Sequence, residues 1–161
     1  MKKLFLTMAL CLTATLCVSA QDVYKEILRL SRETADDTSK DLQTRKVATF
    51  KVDELEYMMQ RTREMLPDSL MTNIINEQAY AMYEFVNTFV TIYNGLNKKK
   101  ERQEVMAVFK EASLNNPRFH DDDTELTLAY INNEGYITTF SLDTDWVLAL
   151  AEVKKKLKEM L

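Results

Sequence analysis

Glycine and proline occur only twice each, as Gly95, Gly135, Pro67 and Pro117. So few turn-formers exclude an all-β sandwich of many short strands, whose tight turns need residues of special backbone conformation. Histidine occurs once, at His120, so a Ser-His-Asp relay would have to use that residue. No serine lies in a glycine-flanked nucleophile turn of the kind that exposes a reactive hydroxyl. Cysteine occurs twice, as Cys11 and Cys17, both within the first 20 residues.

Those 20 residues read as a cleavable secretory leader. Met1-Lys2-Lys3 supplies the positive start, Leu4 to Val18 the short apolar stretch, and Val18-Ser19-Ala20 the small residues of a cleavage site. Cleavage after Ala20 leaves Gln21 as the mature N-terminus. Leu10 and Leu16 precede the two cysteines where a lipidated leader carries a small residue, so lipidation is not expected. Losing Lys2 and Lys3 takes the net charge from -4 to -6 and removes both cysteines, so no disulfide is possible afterwards. Stability must then come from core burial, and residues 21–161 suffice for a single helical domain, since a chain near that size buries roughly two-thirds of its unfolded surface. The acidic balance argues against nucleic acid or an anionic membrane as a partner.

The apolar pattern is helical through most of the chain. Val23, Ile27 and Leu30 make one stripe from Asp22 onward, fraying near Asp36-Asp37-Thr38-Ser39. Ala48, Val52, Leu55, Met59 and Leu66 make a second, ending before Pro67. This helix begins either near Ser39 or at a capping box of Asp53 and Glu56 with Val52 and Tyr57 as its hydrophobic staple. From Ser69 to Asn94, Met71, Ile75, Met82, Phe85, Phe89 and Ile92 define the central helix. Its polar stripe of Glu77, Glu84, Thr88 and Thr91 excludes a membrane span. Gly95-Leu96 reads as its stop.

A fourth helix, from about Asn97 to Ser113, buries Val105, Val108, Phe109 and Ala112 and ends before Asn115-Asn116-Pro117. The last is capped by Asp143, with Leu142 and Val147 as a staple, and turns Trp146, Leu150, Val153 and Leu157 to one side. The expected fold is all-α, a compact bundle of about five helices after the leader. The alternative is α+β with a small hairpin at about 125–142, where Leu126, Leu128 and Tyr130 alternate before the turn Asn132-Asn133-Glu134-Gly135. A short helix from Asp122 to about Ile131 is the competing reading of that stretch.

Few residues suggest chemistry. Asp121, Asp122, Asp123 and Glu125 could attract calcium, but the sixth position from Asp121 is Leu126 and the twelfth is Asn132, which breaks the EF-hand pattern; helix capping explains them better. Met58, Met59, Met65 and Met71 fill a core or furnish an adaptable surface. Met58 and Met59 point to different helix faces, which is poor geometry for shared ligation of a soft metal. Lys98-Lys99-Lys100 with Arg102 is a basic run at a helix start, against the helix dipole.

No catalytic residue, metal-ligand set or cofactor motif emerges. The candidate interaction surface is Met58, Met59, Lys98, Lys99 and Lys100. The function expected is an exported non-enzymatic binding or interaction module of the bacterial cell envelope, periplasmic or extracellular. Its partner would be an envelope protein or a small amphipathic ligand. The alternatives are a carrier of that ligand and a hydrolase with an unrecognised site.

Overall fold

A computed structural model describes residues 23–65, 68–121 and 140–160. The described residues form five α-helices: α1 (Val23–Asp36), α2 (Leu42–Met65), α3 (Asp68–Gly95), α4 (Lys99–Asn115) and α5 (Trp146–Met160). They are all-helical, with no strand among them. The residues read as a leader lie outside the described ones, as do nearly all those read as either a short helix or a hairpin; only 140–142 are described, in irregular backbone.

The central position of α3 follows from its wide apolar face. It packs against each of the other four helices, while α1 also meets α2, and α4 also meets α5. Ile75, Ala79, Met82, Phe85, Val86 and Phe89 are buried on it, much as their spacing predicts. Phe85 is the hub of an aromatic cluster. Its ring lies 5.0 Å from Phe109 of α4, 5.2 Å from Phe140 and 5.2 Å from Trp146 of α5, all edge-on. Phe50 of α2 joins through Phe140 and Trp146. Edge-to-face rings add about 0.5–1.5 kcal/mol each beyond their burial, so this cluster ties four helices and the 140–145 segment together.

The structure decides between the two starts of the second helix, in favour of the one near Ser39, and corrects two other expectations. The second helix runs unbroken through Asp53, because Asp41 supplies the N-cap: its Oδ1 accepts the Thr44 backbone N–H at 3.0 Å and its Oδ2 accepts the Thr44 hydroxyl at 2.6 Å. The last helix begins at Trp146 and is capped by Asp145, whose Oδ1 accepts the Leu148 N–H at 3.2 Å; Asp143 is used elsewhere. On α1 the buried residues are Tyr24, Ile27 and Ser31, while Leu30 is exposed. The stop at Gly95 is where the sequence places it, with Leu96 against the core, yet no described glycine has positive φ, so the left-handed stop is not the one used. No helix among the described residues is long and apolar enough to cross a membrane.

Candidate functional site

Two regions depart from a plain apolar bundle. One is a buried polar region where α2 meets α5; the other is an open groove between α1 and α2.

The buried region starts from three polar residues on α2 that point inward: Lys51, Glu54 and Thr62. Glu54 is fully buried, and its Oε1 accepts the indole N–H of Trp146 at 2.7 Å. Its Oε2 has no hydrogen-bond partner among the described residues. Burial raises its proton affinity well above the ordinary carboxyl range; the indole bond opposes this, and the nearby Asp143 reinforces it. Removing a carboxylate from water costs several kcal/mol, and one hydrogen bond from an indole returns at most about 3 kcal/mol, so the neutral acid is the favoured form. Lys51, one turn earlier, turns away toward α3. Its Nζ donates to Asn87 Oδ1 at 2.6 Å and lies 4.5 Å from the centre of the Tyr83 ring. Burial brings its pKa down to about 8 although the ring and the amide favour its charge.

Asp143 organises the backbone beside Glu54. Its carboxylate accepts N–H groups from Arg118 at 3.0 Å, Phe119 at 2.7 Å and Asp121 at 2.9 Å. That grip requires a tight bend, and His120 adopts φ 52°, a left-handed conformation uncommon outside glycine. Asp121 then accepts the Tyr57 hydroxyl at 3.0 Å and lies 3.1 Å from Arg61 Nε. Gln78 clips the start of α5 by donating to Asp145 Oδ1 and accepting the Trp146 N–H at 2.8 Å. Ser113, Ser141 and Thr144 share a buried hydroxyl network that joins α4 to the 140–145 segment.

These bonds position helix ends; the Ser113 and Thr144 hydroxyls engage each other and that of Ser141 is held by the Asp143 backbone. His120 is exposed and its side chain makes no hydrogen bond among the described residues. Among the described residues no group of three or more His, Cys, Asp or Glu side chains could hold a metal ion. Asp122, Asp123 and Glu125 lie outside the described residues.

The groove between α1 and α2 has a volume of about 550 Å³. Leu28 and Met59, partly buried against the core, line it together with Arg29, Arg32 and Arg63. Arg29 is paired with Glu26 and Glu33, and Arg32 with Glu56, so the rim is of mixed charge. A second groove of about 390 Å³, between Asp41 and Thr44 on one side and Tyr93 and Arg102 on the other, sits at the opposite end of α2.

The sequence-predicted surface divides between these places. Met58 is 1% exposed and belongs to the core, so it cannot meet a partner in this fold; Met59 lines the first groove. Lys98, Lys99 and Lys100 are exposed at the start of α4. Lys98 pairs with Glu101 at 2.9 Å, and Lys100 lies 3.9 Å from Glu104. Arg102 caps the preceding turn through Leu96 O at 2.8 Å. The basic run lies by the second groove through Arg102, whereas Met59 is sixteen residues beyond Gln43, about 24 Å along α2. The fold therefore does not join the methionines and lysines into one surface. Glu54, Lys51 and Gln78 are the positions that sequence reasoning missed. The signal available was a polar residue set within an otherwise apolar helix stripe.

The chain matches no protein-family model, no curated protein and no solved structure.

Proposed function

We infer that the protein is an exported, non-enzymatic interaction module of the bacterial cell envelope, acting in the periplasm or outside the cell. The observation that supports this most directly is the open α1–α2 groove, with Leu28 and Met59 against the core and charged residues of both signs around them. A partly apolar floor inside a polar rim is the make-up of a protein-binding surface, whereas small ligands are usually enclosed on most sides. Met59 adds a flexible, polarizable contact that adapts to a partner. The leader-like residues 1–20 support export.

The test is site-specific photo-crosslinking in the native envelope, with the crosslinking residue placed at Met59 and, as a control, at the exposed Glu104 of α4. The expected result is a discrete protein adduct at Met59 that is absent at Glu104. An adduct of only a few hundred daltons at Met59 would replace this reading with that of a ligand carrier, and equal labelling at both positions would refute it.

A further inference from the structure

Glu54 is a fully buried carboxyl suspended between two helices that otherwise meet little. Helix α5 packs along α3 and α4, and its first residue, Trp146, reaches α2 to donate its indole N–H to Glu54 Oε1. The other carboxyl oxygen has no hydrogen-bond partner among the described residues. We propose that the Glu54–Trp146 contact is a proton-operated latch, closed while the carboxyl is neutral and released when it ionises, freeing the start of α5 from α2.

Among the described residues the neighbouring cations are engaged by other groups, which favours this. On α2 itself, Lys51 is committed to Asn87 and Tyr83, and Arg61 to Glu64 and Asp121. The 140–145 segment presents Asp143, a like charge, and Asp145 at the start of α5 is occupied by Arg118 from the 116–121 turn. That turn also brings Asp121, held by Tyr57 and Arg61. From α3 the group nearest the start of α5 is the neutral Gln78, bonded to Trp146 N–H and Asp145. When the proton leaves, the only described donor facing the carboxylate is the indole N–H, which offsets part of the burial cost, and opening to water is the way to solvate the rest.

Trp146 is the only tryptophan, so its emission reports the contact directly. The wild-type chain and Glu54→Gln are titrated from pH 4.5 to 9, following Trp146 emission, acrylamide quenching and helical circular dichroism. Gln keeps the acceptor for the indole and cannot ionise. The wild type is expected to show one reversible transition, with a midpoint above the ordinary carboxyl range and at least a twofold rise in quenching while helicity persists. Glu54→Gln should show less than a tenth of that change. Lys51, lowered to about 8, is unaltered in the variant, so any change remaining there arises from groups other than Glu54. If both proteins titrate alike, or the wild-type emission is flat, the latch is refuted. Should Glu54→Gln not fold, the carbon-13 shift of the Glu54 carboxyl in the wild type decides: a midpoint near the ordinary carboxyl value refutes the proposal, and one shared with the emission transition supports it.

Discussion

Lys51 and Glu54 stand three residues apart on α2, both buried, and do not pair with each other; one faces α3 and the other α5. Their effects on stability therefore separate by pH. Lys51 has a lowered pKa of about 8 in the folded chain against 10.5 when unfolded. Above pH 8 the folded form releases this proton while the unfolded chain keeps it, so the unfolded state binds more protons and stability rises with pH up to about 10.5. A shift of that size corresponds to roughly 3 kcal/mol across the window. Urea midpoints of the wild type and Lys51→Met between pH 7 and 10.5 should diverge with that sign, the wild type gaining relative to the variant. Parallel profiles would mean that the ring of Tyr83 and the amide of Asn87 keep the lysine charged. Trp146 is buried and holds both an aromatic hub and the Glu54 acceptor, so Trp146→Ala should cost roughly 3–5 kcal/mol. Trp146→Phe, measured by the same urea unfolding, should recover part of that loss by refilling the cavity without restoring the indole bond.

The helices differ in how plainly the sequence announces them. On α3 and α4 most buried positions are apolar and fall at helical spacing, with Asn76, Gln78 and Ser113 as polar exceptions, so the elements and most of their faces were legible. On α2 they were not, because the helix is buried against α1 on one side and α3 on another, and Lys51, Glu54 and Thr62 interrupt the stripe at positions that only tertiary partners explain. Phe50 and Met58, both in the core, fall outside the face that a single apolar stripe selects. Capping signals misled in a similar way. Asp53 and Glu56 satisfy a local pattern inside a helix that has already started, and Asp143 stands two residues before the true cap because the 118–121 backbone claims its carboxylate. Of the candidate surface, Lys98 to Lys100 were legible as exposed, but a groove lined by two helices depends on their relative placement, which no stretch of either helix encodes. The start of α2 gives a direct check. Asp41→Ala should destabilise by about 1 kcal/mol as an N-cap loss, whereas Asp53→Ala should stay within about 0.5 kcal/mol. Chemical denaturation of the two variants distinguishes them, and the reverse order would place the helix start at Asp53.

At the scale of the whole molecule, two features join what would otherwise be two helix groups. The aromatic cluster links α2, α3, α4 and α5, and Tyr24 N–H donates to Asn76 Oδ1 at 3.0 Å, fixing α1 to the long α3. Cooperative unfolding follows if α3 acts as the shared spine, since no helix pair can then lose its packing without exposing apolar surface of the next. A chain of residues 21–161 should accordingly unfold in a single transition in urea. Circular dichroism, which averages all the helices, and Trp146 emission, which reports the α2–α5 contact, should give coincident curves at fixed pH. The slope should be about 1–3 kcal/mol per molar urea, the range of a small cooperative unit. A thiol reductant should leave both curves unchanged, because the only cysteines, Cys11 and Cys17, precede residue 21. If helicity falls in two steps with Trp146 emission following only one, the α1–α2 pair opens separately from α3–α4–α5, and the groove between α1 and α2 would then belong to a unit that can move apart from the rest.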